Sequence, residues 1–183
     1  MNQTFWNIAK NFHGHACPGL AIGVKACEAA VEKMGIMHSE DEELVCVTEN
    51  DACGVDAVQA ILGCSVGKGN LLYHDTGKMV FHFFDRRSGK NLRVCLTAHR
   101  GDRTREEYMQ DLLEAPVDEI FSFRESNIAL PPKASRFSSV CCEVCGEAAA
   151  EPKIRIQNGK KVCLDCFHDG NSNRDTVKTM KRI

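Results

Sequence analysis

The sequence predicts an α+β protein: a core domain of helices packed on a mostly antiparallel or mixed sheet, followed by a small C-terminal zinc finger of treble-clef type. Three observations carry this. Helical and strand periodicities alternate over the first 130 residues without the regular repeat of a doubly wound sheet. The proline pair Pro131-Pro132 then interrupts regular structure. Two Cys-x-x-Cys pairs follow, spaced as in four-thiolate zinc sites. The expected organisation is a core domain over 1–130, a linker over 131–140 and a zinc module over 141–183.

Within the core, residues 4 to 11 read as a short helix and His13-Gly14-His15-Ala16 as a turn. Cys17-Pro18 opens a second helix, because proline suits the first helical position, where its missing N–H is no loss. Leu20, Val24, Cys27, Val31 and Met34 recur at helical steps, Lys25, Glu28 and Glu32 lie on other faces, and Gly35 stops the run. Residues 44–48 read as a buried strand, and Asn50-Asp51 breaks it before a helix carrying Val55, Val58, Ile61 and Leu62. A glycine-rich loop runs from Gly63 to Asn70, and strands over 79–84 and 92–96 form a hairpin around Arg87-Ser88-Gly89-Lys90. A polar helix over 103–114 ends at Pro116, and 120–123 adds a strand.

Composition bounds the function. The chain of 183 residues is 43% hydrophobic and 26% charged with a formal net charge of -2, which gives no global attraction to nucleic acid or anionic membrane. No apolar run approaches the roughly 18 residues of a membrane span. The first residues lack the charged and apolar regions of a signal peptide, so the expected compartment is the cytoplasm. Eleven cysteines in a reducing compartment are ligands, reactive thiols or core residues rather than disulfides.

Cys142, Cys145, Cys163 and Cys166 are the expected ligands of one structural Zn²⁺ per chain, with 17 residues between the pairs. Cys141 competes with Cys142, but the Cys-x-x-Cys spacing favours Cys142. Strands over 153–157 and 160–162 flank the hairpin signal Asn158-Gly159, and a polar helix is expected after Cys166. Lys153, Arg155, Lys160, Lys161, Arg174, Lys178, Lys181 and Arg182 make the module basic, yet interspersed acids and the absence of an aromatic platform favour a structural or protein-docking role over nucleic acid.

The most chemically loaded segment is Phe12-His13-Gly14-His15-Ala16-Cys17-Pro18-Gly19. Imidazole and thiolate suit Zn, Ni, Fe or Cu, and a helix N-terminus favours the thiolate of Cys17. A second cysteine, Cys53, stands at the start of the next helix. If the two helix starts converge, His15, Cys17 and Cys53 form a three-ligand site with an open position, completed or oriented by His13 or Asp56. The same residues equally suit a nucleophilic thiol, Cys17 or Cys53, with a histidine base. Lys68 and Asn70 are weaker candidates, as anion contacts on a loop that fails the Walker pattern. His82, among phenylalanines, reads as a core or partner-facing residue, and Cys27, Cys46 and Cys95 as core.

The motifs His13-Gly14-His15-Ala16-Cys17-Pro18-Gly19, Glu49-Asn50-Asp51-Ala52-Cys53-Gly54-Val55-Asp56-Ala57-Val58-Gln59, Gly67-Lys68-Gly69-Asn70 and Asp75-Thr76-Gly77-Lys78 resemble, in order, those of the formylmethanofuran dehydrogenase E-subunit family. The resemblance covers roughly the first 130 residues. It implies an α+β core, a homodimer and, in some members, an appended treble-clef finger. It also implies a site on His15, Cys17 and Cys53 with His13, Asp51 and Asp56 beside it. The function implied is that of a metal-binding protein of one-carbon, methanogenesis-related or anaerobic metabolism, a candidate component of an oxidoreductase, with a second transition metal (Zn, Ni or Fe). The chain lacks the cysteine runs that a ferredoxin-like component would need. The alternatives are a non-catalytic metal carrier or assembly factor with a metalloenzyme or dehydrogenase partner, and a nucleic-acid-binding regulator using the basic finger.

Overall fold

The computed structural model describes residues 2–168. The polar helix expected after Cys166, and Arg174, Lys178, Lys181 and Arg182 with it, lie outside these residues. The chain divides into two compact units between Ala134 and Ser135. Of the stretch expected as a linker, Pro132 and Ala134 are tied to the first unit, by Arg86 Nη2 donating to the Pro132 carbonyl (3.0 Å) and the Ala134 N–H donating to Glu42 (2.7 Å). Ser139 and Val140 already belong to a strand of the second.

The first unit is an α+β layer structure. Its elements are α1 (Gln3–His13), α2 (Pro18–Met34), β1 (Leu44–Thr48), α3 (Gly54–Leu62), β2 (Leu71–Tyr73), β3 (Val80–Asp85), β4 (Asn91–Leu96), α4 (Arg105–Glu114), α5 (Val117–Ile120) and β5 (Phe121–Arg124). The sheet order is β2-β1-β3-β4-β5, with β1 and β2 parallel and every other pair antiparallel. Helices cover one face: Leu20, Val24, Cys27, Leu62 and Leu112 join Cys46, Phe81, Phe83 and Val94 in one buried cluster. The opposite face carries a smaller cluster of Val45, Val47 and Phe84, with Leu72 and Ile128 packed on it.

The expected helix from Cys17-Pro18 to Gly35 is α2, with Gly35 at φ 70° closing it. Its Lys25 departs from the polar face assigned to it: it is buried, its ammonium 2.7 Å from Glu28 one turn on. The polar helix starts two residues later than expected, because Thr104 and Glu107 form a reciprocal capping box. Ile120 closes the short helix α5 rather than opening a strand. Cys95 is half-buried rather than core, in register with Val80 and Ser122. No helix among the described residues is long and apolar enough to cross a membrane.

Glycine sets how α2 and α3 meet. A Cβ on Gly23 would lie 2.2 Å from the Gly54 carbonyl oxygen, and one on Gly19 would lie 3.2 Å from Cys53 Cβ. The two helix starts therefore touch backbone to backbone, which no side chain at Gly23 would permit. Gly23→Ala is expected to lower stability by roughly 1–3 kcal/mol, the usual range for overpacking, measured as the urea midpoint. An unchanged midpoint would contradict the contact.

The second unit comprises β6 (Ser139–Cys141), β7 (Ala148–Ala150), a 3₁₀ turn (Glu151–Lys153), β8 (Ile154–Gln157) and β9 (Lys160–Cys163). β6 pairs with β7 and β8 with β9, both antiparallel, and the second hairpin turns at Asn158-Gly159 as its sequence requires.

Candidate metal centres

In the second unit the sulfurs of Cys142, Cys145, Cys163 and Cys166 all lie within 4.8 Å of one another. Cys142 Sγ accepts the backbone N–H of Val144 (3.4 Å) and of Cys163 (3.3 Å). Backbone N–H donation, that of Cys145 foremost and then Cys163, pulls the Cys142 thiol down to about 6. Four sulfurs, one of them already biased to thiolate, fit a tetrahedral structural Zn²⁺ and leave no coordination position open. Cys141 is exposed on β6 and stands outside the group, which decides between the two adjacent cysteines. Cys142, Val162 and Cys163 are the buried centre of this unit, with Ala149, Ile154, Cys166 and Phe167 around them.

The first unit brings together His13, His15 and Cys17, whose ligand atoms also lie within 4.8 Å of one another. The chain achieves this in five residues. His13 ends α1, and Gly14 at φ 89° reverses the backbone while its N–H closes on the Lys10 carbonyl at 2.8 Å. Cys17 caps α2, its sulfur accepting the Leu20 N–H at 3.3 Å. His13 Nε2 stands 3.8 Å from Cys17 Sγ, and the rings of His13 and His15 lie 4.4 Å apart. Cys17 is buried, His13 half-buried and His15 exposed, so the cluster opens to solvent on the His15 side.

Asp56 reaches this cluster through His13. Its Oδ2 is 2.6 Å from His13 Nδ1, and Gln59 donates to its Oδ1 at 3.2 Å. An ionised carboxylate makes Nδ1 the protonated nitrogen and leaves Nε2 its lone pair, aimed to the Cys17 side. This is the carboxylate–histidine arrangement that orients metal-bound imidazoles. Cys53 caps α3 and packs beside Gly19, so the two cysteine-bearing helix starts do converge, but it stands outside the three-ligand group. His13 therefore takes the ligand place the sequence suggested for Cys53, and Asp56 the orienting one. Two histidines and one thiolate suit Zn, Ni or Fe.

Lys68 and Asn70 have other work. Asn70 is fully buried, donates to the carbonyls of Asp41 (3.0 Å) and Leu44 (2.8 Å) and accepts the Ser65 N–H (2.9 Å). Lys68 donates to the Ser39 carbonyl at 2.8 Å. They stitch the glycine loop to the segment before β1, which leaves the Asn70 amide no hydrogen for an anion.

Residues 12–122 match the model of the family described as FmdE, molybdenum formylmethanofuran dehydrogenase operon. The chain belongs to this family. Residues 135–169 match the prokaryotic DksA/TraR C4-type zinc finger. Among solved structures, the FmdE fold here resembles that of an FmdE-like protein of tungsten formylmethanofuran dehydrogenase from Syntrophus aciditrophicus, with a TM-score of 0.65 and 23% identity over 93% of each chain. The chain is also 30% identical over 193 aligned positions to a probable S-adenosyl-L-methionine-binding protein of Archaeoglobus fulgidus, covering 86% of this chain. It spans about half (51%) of that relative's length.

Proposed function

We propose that this FmdE-family protein is a metal-binding protein of one-carbon, anaerobic metabolism, holding a transition metal on His13, His15 and Cys17 besides the zinc of its finger. The observation that carries the reading is the His13–Asp56 pair at 2.6 Å, which fixes one imidazole beside a buried cysteine and an exposed histidine. A metal there would supply Lewis acidity at a position the three ligands leave open. The chain's own contribution is orientation: Asp56 holds the His13 ring, the Leu20 N–H holds the Cys17 sulfur, and His15 forms the solvent side. Its expected partners are a second copy of the chain and a dehydrogenase or other metalloenzyme, and its expected compartment is the cytoplasm. The ligand in the Archaeoglobus relative's name is not carried over, since half of that protein lies outside the match.

Metal titration of the chelator-treated full chain tests the site. Wild type is expected to take two metal ions per chain. Asp56→Asn is expected to bind the ion of the first unit about 10–100-fold more weakly while retaining the finger's zinc. A wild-type stoichiometry of one ion would sink the proposal.

A further inference from the structure

A second chemical group lies on the sheet face away from the helices. His82, on β3, is fully buried, and both ring nitrogens are engaged. Nε2 is 2.8 Å from Glu49 Oε1, and Nδ1 is 2.8 Å from Ser126 Oγ. Glu49 follows β1, Ser126 follows β5, and neither is near His82 in sequence. The Glu49 carboxylate also accepts a hydrogen bond from the Thr76 hydroxyl and lies 3.5 Å from Arg93 Nη2. Ser126 is only partly buried, so its hydroxyl stands where this buried chain meets solvent.

The hydrogens in this chain can be assigned. Burial works against the Glu49 carboxylate, but the hydrogen bonds from Thr76 and His82 outweigh it and hold the group below its usual range, so it is ionised near neutral pH. Burial lowers His82, and its bond to Glu49 does not make up the difference, so the ring is neutral there. An ionised carboxylate can only accept, so the single ring hydrogen is on Nε2. Nδ1 then carries a lone pair, and the Ser126 hydroxyl must be its donor. The Ile128 carbonyl competes for that hydrogen only at 3.2 Å, while the Ile128 N–H donates to one lone pair of Ser126 Oγ at 3.1 Å. A hydroxyl donating to a neutral imidazole, itself oriented by a carboxylate, is the arrangement that activates a serine nucleophile.

An independent observation points to a ligand on the same face. Arg93 is directly opposite His82 in the β3–β4 register, and its Nε is buried without a hydrogen-bond partner among the described residues. Leaving such a donor unpaired costs about 1–3 kcal/mol. Arg124 sits opposite Arg93 on β5, which adds positive charge beside it.

We propose that Ser126 is a nucleophilic serine, activated by His82 and Glu49, that takes an acyl group from an activated ester or thioester. In the first step Ser126 Oγ bonds to the acyl carbon and its proton passes to His82 Nδ1. The alcohol or thiol leaving group departs with that proton. In the second step water attacks the acyl carbon, gives a proton to His82 and releases the carboxylic acid, and the proton on His82 returns to Ser126 Oγ. Arg93 is the donor placed to meet the negative charge that develops on the acyl oxygen. This site shares no residue with the His13–His15–Cys17 cluster, and it stands or falls separately from it.

The test is reaction of the full chain with diisopropyl fluorophosphate, from which fluoride leaves as the serine oxygen bonds to phosphorus, followed by peptide mapping, with p-nitrophenyl acetate hydrolysis as the turnover assay. The expected result is one adduct, on Ser126. Ser126→Ala, which removes a single partly exposed hydroxyl, is expected to abolish both the adduct and the hydrolysis. Glu49→Gln, checked for native circular dichroism, is expected to slow labelling by about 100-fold or more, the range for losing general-base assistance. Folded wild type that gains no adduct at Ser126, or folded Glu49→Gln that labels at the wild-type rate, would overturn the proposal.

Discussion

Replacing Cys163 by serine is expected to remove one zinc per chain and unfold the second unit. Cys163 ends β9, its sulfur belongs to the four-sulfur group, its N–H donates to Cys142 Sγ, and it is one of three residues at the buried centre of the unit. The described part of this unit, 135–168, is below the size of about 40 residues at which a chain usually needs a metal or disulfide to fold alone. Structural zinc contributes about 10–16 kcal/mol of apparent binding energy to such modules, far more than two short hairpins can supply. Hydrogen exchange is the direct readout: amides of β8 and β9 should lose protection in the variant, while those of β1 and β3 keep theirs. Cys141→Ser provides the control. Cys141 lies outside the four-sulfur group, so its loss should leave zinc content and hairpin protection as in wild type. A Cys163→Ser protein that still holds its zinc and its hairpin would show that the four sulfurs are not the ligand set.

Much of this architecture is legible because its signals are local. Pro18 and Gly35 bound α2 within one residue, and Asn158-Gly159 marks the finger's hairpin, since caps and turns depend on a few adjacent residues. What sequence reading missed has little local signal. β2 is three residues, Leu71–Tyr73, and its identity as a strand comes from pairing parallel to β1 across α3. β7 is Ala148–Ala150, whose alanines are weak strand formers and are held by β6. The candidate sites divide the same way. His13, His15 and Cys17 are five residues of one turn and stand out at once, but the choice of ligands among them does not. That choice follows from Asp56, which lies 43 positions from His13 and reaches it only because the glycines at the α2–α3 crossing let the helix starts touch. His82 shows the stronger case. Its flanking phenylalanines describe a buried strand, and nothing near it in sequence announces Glu49, 33 positions away, or Ser126, 44 away.

Cys17→Ser is expected to abolish metal binding in the first unit, a loss of more than about 100-fold, without unfolding it. The thiolate is the one charged donor of the three ligands, and a neutral hydroxyl is a poor substitute for a soft or borderline metal. The helix itself should persist. Serine is a preferred N-cap residue, so its Oγ can take over the Leu20 N–H that Cys17 Sγ accepts now, and Pro18 remains in the first turn. Metal loss and helix loss are therefore separable in this one variant. Cys53→Ser is the discriminating partner. Cys53 stands outside the three-ligand group, so its substitution should leave the second metal equivalent in place. Elemental analysis of the two single variants after metal reconstitution, with the finger's zinc as internal standard, reads both outcomes. One equivalent in Cys17→Ser and two in Cys53→Ser support the His13–His15–Cys17 set. One in each variant would return Cys53 to the ligand set. Two in each would remove the metal from this cluster altogether and leave Cys17 as a thiol beside His13, with nucleophilic rather than metal chemistry the reading to pursue.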